Sequence, residues 1–493
     1  MQTGAGLREG LIGEGPIGRK TMEKRSSLSV GGMFGLIGVE VEHGIQSQPF
    51  PRHVATDSRD VERGGAFVAL EGERTDGHRY IPQALENGAS LIVARRGKRP
   101  ADPLVPCVEL EDPERDLARL ASEYLRRVEP GEVVAVTGSV GKTTTREALR
   151  RVLETRFRVH SATRSLNTRI GCTATVLAMP SDAELLLLEF GANKAGEIAE
   201  LTELFPPTTA VVTQVAPVHL EGFGSVEGVL RGKMEIARSK RLRRFLYNGD
   251  NPLLCGAAAE VAAPSVVSVG SCPGSDFCIE DLRFAWDGLL PALSFRLRGG
   301  GEAAHLRAAV WGGHLALPLA FAAAAGQGLG LSLEEGASAL EGFGGIAGRG
   351  RIFPAAGRDG FVVDDAYNAN PLSMRSSLET FVSLDMKGRR MAVLGEMREM
   401  GPDGPRYHRD LGDLIDAVDE VVLVGELWRE SLDGHGKGRN RRFVPSWREA
   451  LDAARAADWA GILVKGSNSL ELEKVVAALS EGVAAPGDAG AGA

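Results

Sequence analysis

The densest chemistry in the sequence lies in Thr137-Gly138-Ser139-Val140-Gly141-Lys142-Thr143-Thr144. Two glycines three residues apart let backbone N–H groups turn toward an anion. The helix start that follows adds the positive end of its dipole. Lys142 would reach the β- and γ-phosphates of a nucleotide, and the Thr143 hydroxyl would ligate Mg²⁺. The longer form of such a loop, G-x-x-x-x-G-K-[ST], places glycine at 136, where Val136 stands, so this chain carries the short form. Gly138, Ser139, Val140, Gly141, Lys142, Thr143 and Thr144 are the expected nucleotide-binding residues. A Gly-Lys-Thr triplet alone is common. One preceded by the β-run 133–136 and followed by Thr-Thr-Arg-Glu-Ala-Leu is not.

Other residues could join this loop. Glu189 ends an apolar run, 185–188; a carboxylate at the carboxyl end of a parallel strand beside a phosphate loop is well placed to hold Mg²⁺. His219 and Lys233 follow, each of a type that is more often structural or solvated when it stands alone. Arg349 sits in a glycine-dense stretch, 342–350. Asp365 and Asn368 lie in Asp364-Asp365-Ala366-Tyr367-Asn368, and Lys465 and Ser467 in Lys465-Gly466-Ser467. Asp57-Ser58-Arg59 reads, on residues alone, equally as a turn with a surface ion pair.

These residues need a scaffold. At 493 residues the chain is too long for one core and natural for about three domains. Hydrophobic residues make up 43% and charged residues 25%, the balance of a soluble globular protein. Short apolar β-branched runs (133–136, 185–188, 210–213, 361–363, 391–394, 421–424 and 462–464) alternate with helical segments. That pattern implies an α/β fold with parallel sheets covered on both faces. Pro130-Gly131 and the glycines of 342–350 read as linkers. The expected division is a disordered extension (1–27), a first domain (28–129), a central P-loop domain (130–347), a Rossmann-like last domain (348–482) and a disordered tail (483–493).

Composition also excludes some functions. A net charge of -8 argues against nucleic-acid binding through bulk positive charge. Five scattered cysteines without a C-x-x-C pair argue against a disulfide framework or zinc site and fit a reducing compartment. No run approaches a membrane span. The apolar stretch 28–39 follows basic residues but lacks a small-residue cleavage site, so it reads as the first element of the fold. The expected location is the cytoplasm.

The phosphate loop alone leaves kinases, GTPases and motor ATPases open. The rest of the chain narrows the choice, because its motifs, in order from about Thr56 to Val476, resemble the Mur ligase family. Within it they resemble the branch that adds D-Ala-D-Ala to a UDP-muramoyl-tripeptide. The likeness is carried by Asp57-Ser58-Arg59, Leu188-Glu189-Phe190-Gly191-Ala192-Asn193 and the 213–225 stretch around His219. It is carried further by Asp364-Asp365-Ala366-Tyr367-Asn368-Ala369-Asn370-Pro371, Gly395-Glu396-Met397-Arg398-Glu399-Met400-Gly401 and Lys465-Gly466-Ser467. Diamino-acid-adding relatives carry histidine at the position of Asn368.

The resemblance implies a three-domain ligase that forms an amide bond at the expense of ATP, through an acyl phosphate, in peptidoglycan precursor synthesis. It implies ATP and two Mg²⁺ ions as cofactors. UDP-N-acetylmuramoyl-tripeptide and D-Ala-D-Ala are the implied partners of a monomeric enzyme. Lys142, His219 and Lys233 become the catalytic candidates, with Lys233 carbamylated by CO₂. Thr143, Glu189 and His219 become metal ligands, and Arg349, Asp365 and Asn368 nucleotide contacts. Ser58, Arg59, Asn167, Lys465 and Ser467 become substrate contacts. Two departures accompany the likeness: Ser165 and Thr168 replace asparagines of the loop around Asn167, and Leu315 replaces an asparagine expected at the adenine.

Overall fold

The computed structural model describes residues 28–480, except 73–74, 103, 165, 289, 399 and 433–439. The two ends expected to be disordered, and Ser165, therefore lie outside the described residues. The apolar stretch after residue 27 forms the helix Val30–Gly35, capped by the Ser29 hydroxyl, which accepts from the Gly32 N–H. It buries Val30, Met33 and Phe34.

Three sheets follow in chain order. The first is parallel, with strands Val54–Ala55, Ala66–Val68, Leu91–Arg95 and Cys107–Leu110 adjacent in that order. Behind it, the helix Pro113–Val128 starts under an Asp112 cap with proline in its first turn. That pairing removes one donor the helix cannot satisfy and supplies an acceptor for another.

The central sheet has nine strands. Glu132–Thr137 is flanked by Leu185–Glu189 on one side and Thr209–Val212 on the other, both parallel to it. All six residues of Glu132–Thr137 and all five of Leu185–Glu189 are buried. Helices cover both faces, so these strands cannot alternate apolar and polar residues. The far edge departs from the expected parallel pattern. Phe277–Asp287, Leu290–Gly299 and Glu302–Ala308 form an antiparallel meander, whose alternating exposure shows one wet face.

The last sheet has six strands, in the order Arg351–Pro354, Phe361–Asp365, Gly461–Lys465, Arg390–Gly395, Glu420–Val424 and Arg441–Val444. All neighbours are parallel except the first pair. This is the α/β, mostly parallel architecture that the apolar runs imply. No helix among the described residues is long and apolar enough to cross a membrane.

Candidate active site

The phosphate loop follows directly from the strand Glu132–Thr137. Gly138 has φ 146°, and a Cβ there would fall 2.1 Å from Thr213 Oγ1, so no side chain fits. The loop is pinned from below. The Ser139 N–H donates to Gln214 O at 2.8 Å, and Thr213 Oγ1 donates to Val140 O at 2.6 Å. Gly141, at φ 82°, caps the helix Lys142–Leu153 without any side-chain acceptor. The first N–H groups of a helix need partners from outside it. Leaving them without a side-chain cap, beside a lysine, suits the oxygens of a phosphate. Thr143 and Thr144 are buried at the helix start.

Lys142 arches back over the loop, its Nζ donating to Gly138 O at 2.9 Å. Enclosure in the cleft pushes its pKa down; Glu189 opposes that shift and the Arg349 charge adds to it. The Arg349 contribution matters structurally, because Arg349 belongs to the segment leading into the last sheet. Its guanidinium lies 4.2 Å over the Tyr367 ring. The last domain thus presents an arginine to the phosphate loop.

Glu189, only 2% exposed, ends its strand with Oε1 accepting from Asn167 Nδ2 at 3.0 Å. The Asn167 carbonyl accepts from the Gly191 N–H at 2.7 Å. A Cβ on Gly191 would meet the Asn167 amide at 2.8 Å, which explains glycine there. Thr168, one of the two departures, caps the helix Arg169–Leu177: its hydroxyl accepts from the Gly171 N–H. A small hydroxyl does what a helix start requires.

A cavity of about 420 Å³ opens beside these groups, lined among others by Lys142, Asn167, Gly191, Asn193 and His219. His219 has a left-handed backbone, φ 49° and ψ 38°, at the start of the helix Leu220–Phe223. A non-glycine residue in that region carries about 1 kcal/mol of strain or more, and such residues gather at functional sites. Lys233 lies behind the cavity on the helix Val226–Met234 and is 1% exposed. Its Nζ is 3.3 Å from Ala192 O and 5.4 Å over the Phe223 ring. Burial, helped by the charge of Lys142, lowers its pKa to about 7.

In the last domain, Asp364 turns inward and accepts from the Gly348 N–H at 2.6 Å. Burial holds its pKa above the ordinary value. Asp365 pairs with Lys465 at 2.8 Å, and Lys465 Nζ also donates to Asn368 O at 3.1 Å. His314, exposed to solvent, faces the same groups from the central domain. Ser467 Oγ accepts from the Arg398 N–H at 3.1 Å. Leu315 is buried, and its Cδ1 lies 2.8 Å from where a Gly350 Cβ would stand, so it packs at the junction between the central and last domains.

Two candidates stand apart. Ser58 is buried, its hydroxyl donating to Gln83 Oε1 at 2.7 Å, and Arg59 is exposed and paired with Asp57. Neither lines the cavity. One buried residue beside the site was passed over in the sequence: Arg146, 3% exposed, donates to Arg164 O at 2.7 Å. Its signal was spacing, since four residues after Lys142 means the same helix face.

The donors present suit a nucleotide with Mg²⁺. The uncapped helix start and Lys142 answer the phosphates, and a hydroxyl with a buried carboxylate offers the oxygen ligands that Mg²⁺ takes. Among the described residues, the one group of three side chains whose ligand atoms converge is Glu71, Asp76 and His78. The Lys98 ammonium already bonds both of its acids, so that group is an ion-pair cluster.

The chain is similar to known proteins along most of its length. Residues 52–124 match the family pattern described as Mur ligase family, catalytic domain. Residues 136–326 match the Mur ligase middle domain, and 348–468 the Mur ligase glutamate ligase domain. The UDP-N-acetylmuramoyl-tripeptide–D-alanyl-D-alanine ligase of Bacillus subtilis (strain 168) is 32% identical over 87% of this chain and 93% of its own. The enzyme of that name from Escherichia coli (strain K12) is 30% identical over the same shares. Among solved structures, MurF ligase from Thermotoga maritima in complex with ADP superposes with a TM-score of 0.72 at 28% identity, covering 87% of this chain and 96% of that one. MurF from Acinetobacter baumannii superposes at 0.73, with 27% identity over 86% and 92%. With three family patterns in order along most of its length and relatives at 30% identity or more over nearly nine-tenths of it, the chain belongs to the Mur ligase family, and within it to the UDP-N-acetylmuramoyl-tripeptide–D-alanyl-D-alanine ligases.

Proposed function

We propose that this chain joins D-Ala-D-Ala to UDP-N-acetylmuramoyl-tripeptide, converting ATP to ADP and phosphate, as a monomer in the cytoplasm. Its working units are the segments 28–129, 130–347 and 348–482. The observation that carries the reading is the cavity in which Lys142 and His219 share a wall with Asn167, next to the phosphate loop.

Carboxylate and amine do not condense in water, because a carboxylate is a poor electrophile with a poor leaving group. The tripeptide's terminal carboxylate oxygen attacks the γ-phosphorus and ADP departs. The dipeptide amine then attacks the acyl carbon, loses a proton, and phosphate leaves with the acyl oxygen. Such a reaction asks the protein for positioning and charge neutralisation. Lys142 and the N–H groups of Gly138 to Thr144 hold the phosphates. Thr143, Glu189 and His219 would hold Mg²⁺, which would supply charge neutralisation for the phosphates. Asn167 fixes Glu189 and borders the tripeptide.

Arg349, Asp365 and Asn368 face the nucleotide from the last domain. Ser58 and Arg59 belong to the uridine-diphosphate end. Lys465 and Ser467 take the carboxylate of the incoming dipeptide. The Lys465 ammonium has three N–H donors; it is ion-paired with Asp365 and donates to Asn368 O, which leaves donor capacity for the ligand. Lys233 is suited to carbamylation: its neutral amine adds to CO₂ and releases one proton, giving an anionic oxygen donor beside the phosphates.

The test is phosphate release from ATP and Mg²⁺ with UDP-muramoyl-tripeptide, with and without D-Ala-D-Ala, with the product weighed. A product heavier by the dipeptide is expected. Turnover instead with UDP-muramoyl-dipeptide and a single diamino acid would move the chain to another branch, and silence with every acceptor would make it a binding protein.

A further inference from the structure

The cavity beside the phosphate loop carries three cations, Lys142, Arg169 and Lys194, and three carboxylates, Glu114, Glu197 and Glu200. Most of these charges are committed. Arg169 bridges Glu114 at 2.7 Å and Glu200 at 2.6 Å. Lys142 lies over the phosphate loop, donating to Gly138 O. Glu197 accepts from the backbone N–H groups of Asn193 at 2.7 Å and Lys194 at 3.3 Å. That clamp fixes the turn from which the Lys194 side chain leaves. The Lys194 Cβ lies 3.3 Å from where a Cβ on Gly222 would stand, just after His219. Among the described residues, no carboxylate or other acceptor engages the Lys194 ammonium.

This placement bears on the substrate, and the argument rests on the ligase reading above. The reacting carboxylate must lie at the Lys142 and His219 end of the cavity. It belongs to the third residue of the tripeptide, so that residue's side chain must occupy the space nearby. Two side chains are chemically natural there. Lysine offers a carbon chain ending in an ammonium; diaminopimelate offers the same chain and ammonium plus a carboxylate. Only the carboxylate distinguishes them, and an uncommitted cation on the wall is the group that would read it.

We propose that Lys194 is a specificity-determining residue that binds the side-chain carboxylate of a diaminopimelate third residue, so that the chain prefers that tripeptide over the lysine one. A hydrogen bond to a charged group is worth a factor of about ten to a hundred in selectivity.

The experiment measures kcat/KM for both UDP-muramoyl-tripeptides, with saturating ATP and D-Ala-D-Ala, in the wild type, Lys194→Ala and Lys194→Glu. The wild type should favour the diaminopimelate tripeptide by about tenfold or more. Lys194→Ala should bring that ratio toward one, chiefly through KM for the tripeptide, with KM for ATP unmoved. Lys194→Glu should reverse the preference. A wild-type ratio near one, or a ratio that survives in a folded Lys194→Ala protein, overturns the proposal. An equal loss on both tripeptides also overturns it, since it would place the cation against a group they share. No turnover of either tripeptide by the wild type would instead sink the ligase reading, and this inference with it.

Discussion

The indole N–H of Trp311 donates to Ser377 Oγ at 3.0 Å across the boundary between the central and last domains, with both residues fully buried. Trp311 follows the last strand of the central sheet, yet it packs in the hydrophobic core of the last domain. Phe284, from the antiparallel meander, meets it edge-on at 5.1 Å, and Phe381 meets it from the other side at 5.7 Å. Trp286 makes a second crossing, its ring edge-on to Phe361 at 5.6 Å. Any movement of the last domain against the central one must therefore disturb this aromatic plug.

Removing the plug should be costly. Trp311→Ala is expected to lower unfolding free energy by about 3–5 kcal/mol, the usual range for a buried aromatic truncated to alanine. Urea unfolding followed by circular dichroism measures it. A loss under about 1 kcal/mol would mean that the two domains are not packed as tightly as these contacts require.

Lys142→Ala should abolish turnover while leaving the fold intact, because the cleft-bound ammonium contributes charge at the phosphates rather than packing. The check is phosphate release alongside an unchanged unfolding midpoint. Normal activity in this variant would sink the assignment of residues 138–144 to the nucleotide.

Much of this was legible in the sequence for definite physical reasons. The continuous apolar runs at 133–136 and 185–188, bounded by turn residues, read as strands buried on both faces, and Gly138 stands where a Cβ would meet Thr213 Oγ1 at 2.1 Å while Gly141 takes a left-handed backbone. Other features were not legible. The pairing of Asp365 with Lys465 joins positions a hundred residues apart, and only parallel register brings them together. The antiparallel meander at 277–308 and the Trp311 plug were missed because their residues alternate and scatter instead of running together. Arg146 was missed because one charge on a helix ordinarily reads as solvated.

The Asp365–Lys465 pair should behave as a buried ion pair. Lys465 is 2% and Asp365 11% exposed at the side chain. Taking away the lysine leaves a carboxylate with no opposing charge, so Lys465→Met should cost about 3–5 kcal/mol as well as turnover. Adding Asp365→Asn should restore much of the stability without restoring activity. A single variant as stable as the wild type would show that the pair exists for the substrate alone.

Lys233 makes the pH dependence specific. Its pKa falls from 10.5 in an unfolded chain to about 7 in the folded one, mainly through burial. Between those values the unfolded chain binds more protons, so the contribution of Lys233 to stability rises with pH across that window and is least favourable below about 7. Two outcomes follow from one cause. Lys233→Met, which removes a desolvated amine but keeps most of its unbranched apolar stem, should raise the urea midpoint and flatten its pH dependence between neutral and alkaline conditions. It should also eliminate turnover if the amine carries the carbamate. In the wild type the neutral amine present above pH about 7 should take up labelled bicarbonate and show a carbamate carbon resonance that the variant lacks. Activity should fall when CO₂ is stripped and return when bicarbonate is added. A wild-type protein that shows no such resonance under saturating bicarbonate, and whose rate ignores CO₂, would leave Lys233 as a buried amine that serves the site only by its shape.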